Sequence, residues 1–265
     1  FPGGLAFQAM RQGVPIIWID KMTEEELAPL RVLQPDIVLV GGFGIILRQP
    51  LLSLPRLGCV NMHSSLLPKH RGPNPFTAVI LAGETESGIT FHVMDEGVDT
   101  GDIIAQFSFT LSPTDTPHSV YARSCELAGE YVVEVMDDIE QTGVRGMPQD
   151  HTLATYEKKP TESDAWIDWG RPAVEIERKV RALDGIKTAR FIYQRRTVLV
   201  SVADADPSPV SSPSGCVVQN QPHVAIATGA GVISILSAQS KGPLPLPWPM
   251  PWNRPEVGEQ LSEGY

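Results

Sequence analysis

Only three cysteines, Cys59, Cys125 and Cys216, occur in 265 residues, widely spaced and odd in number. They imply neither a disulfide framework nor a thiolate metal site, and the default compartment is a reducing cytoplasm. Long hydrophobic runs are also missing. The longest nearly apolar stretch, residues 37–47, is too short to cross a bilayer, so no membrane partner is expected. The opening Phe1-Pro2-Gly3-Gly4 has neither a basic flank nor an apolar core, and no signal peptide is expected. No repeat, zinc signature or phosphate-binding glycine loop occurs, and Gly41-Gly42-Phe43-Gly44 does not fit the dinucleotide pattern. Metal-free chemistry is expected, and Ser64-Ser65 lacks the elbow of a serine nucleophile. Positive charge is scarce in the first part: residues 1–150 hold nine Lys/Arg against nineteen Asp/Glu. Residues 161–265 hold ten against eleven, so only the second part can carry a local basic face.

What is present is ordinary globular text, 42% hydrophobic and 20% charged. In the first 150 residues strand-like and helix-like segments alternate. Residues 15–19, 36–40, 58–63, 89–94 and 103–111 read as strands. Thr23 with Glu26 three residues on opens a short helix, and Asn74-Pro75 opens another that Gly83 closes. Thr116-Pro117 starts a long helix with Leu127, Tyr131, Val135 and Ile139 on one face, ending near Gly143. After a polar stretch without periodicity, a helix over 172–183 puts Ala173, Ile176, Val180 and Leu183 on one stripe. Short β-rich pieces follow to residue 237, separated by turns as in a small barrel, and the Pro/Trp-rich tail over 242–255 should be extended. The expected organisation is a Rossmann-like, mostly parallel α/β domain over 1–150, a linker over 151–164, and an OB-like barrel domain over 165–265.

In open α/β sheets, ligands collect beyond the carboxyl ends of strands. One such exit carries Asn61 and His63, two residues apart and so on one side of the strand. Another leads into an acidic loop over 95–102 containing Asp99. If the strands are neighbours, a carboxamide, an imidazole and a carboxylate meet. The first two can stabilise an oxyanion, and the third can orient the imidazole and favour its protonated form. That set suits acyl-type transfer without a protein nucleophile. The remaining histidines (His70, His92, His118, His151 and His223) show no ligand spacing and are assigned to surface or packing roles.

The run Asn61-Met62-His63-Ser64-Ser65-Leu66-Leu67-Pro68-Lys69-His70-Arg71-Gly72, with Gly97-Val98-Asp99-Thr100-Gly101-Asp102 after it, resembles the signature of the formyltransferase family. The similarity continues through Thr155-Tyr156-Glu157-Lys158-Lys159 and Ile167-Asp168-Trp169, and is greatest to the members that act on methionyl-tRNA. The resemblance implies a cytoplasmic enzyme with Asn61, His63 and Asp99 as catalytic trio and 10-formyltetrahydrofolate as co-substrate. The folate would lie against Phe43, Gly44, Ile45, Ile46 and Leu47 and the loop bearing Asp95, Gly97 and Val98, over a floor shaped by Ser65, Leu66, Leu67 and Pro68. Arg71 would contact substrate or fix its loop. The implied acceptor is a primary amine, initiator methionyl-tRNA first and a small amine such as an amino-sugar nucleotide second.

The sequence departs from that pattern in three places. Family members begin with a strand–helix–strand unit ahead of the part matched from Leu5, and its absence here predicts a fragment or an incomplete sheet, with a non-catalytic remnant as the reading from another class. Leu183-Asp184-Gly185-Ile186-Lys187 stands where the tRNA enzymes carry a Pro-Trp-Pro stretch. Their basic tail is replaced by Lys241-Gly242-Pro243 and the Pro/Trp segment, which weakens the expectation of RNA contacts.

Overall fold

The computed structural model describes residues 5–242, 245–250 and 253–262. The Phe1–Gly4 opening and tail residues 243, 244, 251, 252 and 263–265 lie outside the described residues.

The chain begins with α1 (Leu5–Arg11) and α2 (Glu24–Leu33). Thr23 caps α2, its hydroxyl accepting from the Glu26 N–H, and Glu26 reaches back to accept from the N–H groups of Asp20 and Lys21. Strands β1 (Val38–Gly41) and β2 (Cys59–His63) follow, then α3 (Pro75–Ala82), β3 (Glu86–Val93), β4 (Ile103–Thr110) and the long helix α4 (Pro117–Thr142). These strands form one sheet in the order β1-β2-β3-β4. The α/β class is as expected, and the sheet is mixed: β1 and β2 are parallel, while β2–β3 and β3–β4 are antiparallel. The short connection between β3 and β4 can only join antiparallel neighbours. Val135 and Ile139 of α4 bury against Val60, Ile89 and Phe91, with Leu127 and Tyr131 partly buried beside them, so the helix uses the face its sequence predicts. A capping box between Thr116 and Ser119 starts it.

The strand expected over 15–19 is not formed. Residues 14–19 are irregular, and Pro15 removes a backbone donor that a ladder would need. Among the described residues β1 pairs only with β2, and Trp18, Val32 and Leu33 near it are exposed.

The polar connector is tied down rather than loose. Met147 exchanges both backbone hydrogen bonds with Ile103 at the start of β4, and Tyr156 forms a parallel bridge with Arg71. Helix α5 (Ala173–Leu183) then lies between the two halves: Ile176 and Val180 enter the second core, while Ala182 packs with Val79, Ile80 and Val120.

The second sheet is antiparallel and curled. Its strands are β5 (Ala189–Tyr193), β6 (Arg196–Asp206), β7 (Val217–Gln219), β8 (Val224–Ala227), β9 (Val232–Ser240) and β10 (Leu246–Trp248), in the order β5-β6-β9-β8-β7 with β10 on β9. Bridges from Gln260 to Cys216 and from Ser262 to Ile192 link its two edges through the chain's last described residues. Inside, Trp169, Phe191, Tyr193 and Trp248 pack edge to face. The tail thus adds an edge strand and a buried indole to the barrel.

Candidate active site

Asn61 and His63 alternate with Met62 on β2, and the antiparallel register sets Asn61 opposite His92 and His63 opposite Thr90. Directly opposed residues share a face. One face of the sheet therefore presents Asn61, His63, Thr90 and His92 together. Because β2 and β3 run in opposite directions, their carboxyl ends are not adjacent, contrary to the expectation of two converging strand exits. The loop after β3 instead folds back across this face and brings Asp99 to it.

Asp99 Oδ2 accepts from the Gly72 N–H at 2.8 Å and stands 3.6 Å from His63 Nδ1. Asp99 Oδ1 is 3.5 Å from both Asn61 Nδ2 and His92 Nε2. The three side chains expected to act together are therefore within reach of one another. Gly72 must be glycine: it has φ +108°, and a Cβ would sit 2.5 Å from the Glu157 carbonyl oxygen.

The hydrogen bonds fix the proton positions. His63 Nε2 is 2.9 Å from the His70 carbonyl, which can only accept, so Nε2 carries the hydrogen and Nδ1 keeps its lone pair toward Asp99 in the neutral ring. His92 Nδ1 lies 2.8 Å from the Val93 carbonyl, and its Nε2 stands between Asn61 Nδ2 at 3.2 Å and Asp99 Oδ1 at 3.5 Å. Asn61 Nδ2 also donates to Asp99 Oδ1 at 3.5 Å, a hydrogen bond long enough for a nearer acceptor to displace.

Burial decides the charge of His63. The residue is 6% exposed, and loss of water lowers its pKa from the ordinary 6.5, outweighing the upward pull of Asp99 and of the His70 carbonyl; His92 and His70 add to the lowering. The resting ring is neutral near pH 7 even though Asp99 pulls toward its protonated form. For Asp99 burial acts upward, but the His92 and His63 imidazoles and the Gly72 N–H outweigh it. The carboxyl sits below its ordinary range and is ionised.

Several other expected site residues divide by burial. Phe43, Ile45 and Ile46 are exposed just past the end of β1, whereas Leu47 is buried with Leu27 and Leu51. Asp95, Gly97 and Val98 are exposed, and Asp95 Oδ1 accepts from the Gly97 N–H and the Thr100 hydroxyl. Ser65 is fully buried with its hydroxyl on the Lys69 carbonyl, and Leu67 is buried with its N–H on Thr90. Leu66 and Pro68 are half-buried, and Gly44 is exposed like Phe43, Ile45 and Ile46. Arg71 has no exposed surface. It bonds Gln149, the Tyr156 hydroxyl and His151 Nδ1, so of its two expected roles it fixes the loop.

His92 and Gln149 are missing from the sequence-derived site. His92 could have been found from antiparallel pairing, which sets it opposite Asn61. For Gln149, in an aperiodic polar stretch, no local signal exists. Among the described residues, no cluster of three His, Cys, Asp or Glu side chains is arranged to hold a metal ion, and no helix is long and apolar enough to cross a membrane.

Comparison with known proteins shows the family. The formyl transferase family profile matches residues 19–136, and the profile of the formyl transferase C-terminal domain matches residues 159–255. A methionyl-tRNA formyltransferase from Roseiflexus sp. (strain RS-1) is 34% identical over 97% of this chain and 78% of its own length. Among solved structures, HypX from Aquifex aeolicus in complex with tetrahydrofolic acid matches with a TM-score of 0.60 at 21% identity, over 86% of this chain; the chain spans 40% of that protein's length. WlaRD, a sugar 3N-formyl transferase crystallised with dTDP and 5-N-formyl-THF, matches with a TM-score of 0.67 at 20% identity, over 91% of this chain and 82% of its own. The chain belongs to the formyl transferase family.

Proposed function

We propose that the chain moves a formyl group from 10-formyltetrahydrofolate to a primary amine, and that the amine is that of methionyl-tRNA. The observation that carries the reaction is the meeting of Asn61, His63 and Asp99 on one sheet face, with the carboxylate ionised and the imidazole neutral.

The acceptor amine attacks the formyl carbon, a C–N bond forms, and the carbonyl oxygen becomes an oxyanion. Asn61 turns the N–H of its long Asp99 contact to that oxygen. A carboxyl held below its ordinary range is a poor base for an ammonium proton, so the proton goes to His63 Nδ1, directly or through a water. Burial disfavours the imidazolium so formed until the developing oxyanion joins Asp99 beside it, which places that part of the stabilisation in the transition state. On collapse the bond from carbon to the folate N10 breaks, and N10 takes the proton from His63. Exposed Phe43, Ile45 and Ile46 supply an apolar wall for the flat pterin, and the exposed backbone of residues 95–98 supplies hydrogen bonds.

The choice of methionyl-tRNA is supported by relatives of that name at 32–34% identity along most of the chain. Incubation with 10-formyltetrahydrofolate and either methionyl-tRNA or an amino-sugar nucleotide tests it. Formylated methionyl-tRNA is the expected product; formylation of the sugar alone would overturn the acceptor, and no transfer to either would overturn the reaction.

A further inference from the structure

Gln149 lies in the connector, far in sequence from the Asn61–Gly72 motif, and is 6% exposed. Its Nε2 donates to the carbonyl oxygens of Asp99 at 2.9 Å and Gly101 at 2.7 Å. Its Oε1 accepts from Arg71 Nε at 3.3 Å and Nη2 at 2.7 Å. The partners dictate the amide's orientation, since a carbonyl only accepts and a guanidinium only donates. Both donors and the acceptor oxygen are thus committed, in a buried setting.

Asp95 ties the turn internally through Gly97 and Thr100, and Gln149 grips it from outside at Asp99 and Gly101. Asp99 has φ +54°, a left-handed conformation uncommon for a residue with a side chain. Gly101 lies so close to β3 that a Cβ would run into the Val93 carbonyl. Arg71, the anchor on the other side, is fully buried, and none of its hydrogen-bond partners is a carboxylate. A side chain needed only to pair that guanidinium would be better supplied by an acid, which attracts the charge as well. The carboxamide is the group that serves two carbonyls and a guanidinium at once.

We propose that Gln149 is a positioning residue for the transfer reaction, holding the Asp99–Gly101 turn against Arg71 so that the Asp99 carboxylate meets His63. This rests on the catalytic roles proposed above for Asp99 and His63. Two variants of the full chain test it beside Asp99→Asn. Gln149→Glu keeps the acceptor oxygen for Arg71 but turns its second oxygen toward both carbonyls. It should fold as the parent does, with kcat lowered about tenfold or more and KM for 10-formyltetrahydrofolate within about threefold. Gln149→Met removes both sets of bonds at similar volume. In that variant the His63 ring, which faces Asp99, His92 and His70, should titrate lower by NMR, moving in the same direction as in Asp99→Asn. Full kcat in folded Gln149→Glu, or an unmoved His63 midpoint in folded Gln149→Met, overturns the positioning role. Loss of folding in both assigns Gln149 to stability and overturns it too. Full turnover in Asp99→Asn would instead refute the catalytic reading, and the NMR comparison would still decide the position of the turn.

Discussion

The two sheets of this protein bury opposite kinds of residue. The barrel's interior is aliphatic and aromatic, with Phe191, Val200, Ile226 and Ile233 fully buried around Trp169 and Trp248. The first sheet turns one face over to Thr90, His92, His63 and half-buried Asn61. Burying polar groups costs free energy unless each is hydrogen-bonded, and here each has partners on the same face or in the loops folded over it. The barrel's face contributes stability, and the polar face holds a network whose return is chemistry. Substitutions in the two regions should therefore separate rate from stability.

The largest effect is expected on the polar face. His63→Ala removes the proton acceptor and should lower kcat by about 10²–10⁴-fold with the fold retained, which turnover and circular dichroism on the same sample would show. Next comes Phe191→Ala, which empties a fully buried ring site between Trp169 and Trp248. It should cost about 3–5 kcal/mol in denaturant unfolding, while kcat per folded molecule stays near the parent's. A rate loss there as deep as in His63→Ala would dissolve the contrast.

The smallest effect is a pH slope. His63 binds its proton less readily when folded than at the ordinary 6.5, so below that value the unfolded chain holds more protons and stability falls with acid. Asp99, whose folded pKa is depressed, adds a further loss as pH falls through its own folded value. Unfolding curves of the parent and His63→Gln should differ in slope just below pH 6.5, with the variant flatter. Parallel slopes would show that the imidazole is not held neutral by the fold.

Legibility in the sequence followed the range of the contacts. Helix α4 and its buried stripe were readable because residues four apart on one helix meet by local geometry. Asn61 and His63 were readable as a same-side pair on a strand. The partnership of Asn61 with His92 depends on the direction and register of a strand pair, which no local pattern in either strand carries. The polar stretch around Gln149 shows no period because it follows another element's surface instead of forming one, and its bonds to Arg71, Asp99 and Gly101 join segments 48 to 78 residues apart.

The most direct test of the central claim is single-turnover formylation by Asp99→Asn, with binding of 10-formyltetrahydrofolate measured on the same preparation. Removing the charge that flanks His63, while keeping the side chain's shape, should leave donor affinity near the parent's and slow the transfer step by about 10²-fold or more. A transfer step at the parent's rate, with donor bound, would contradict it.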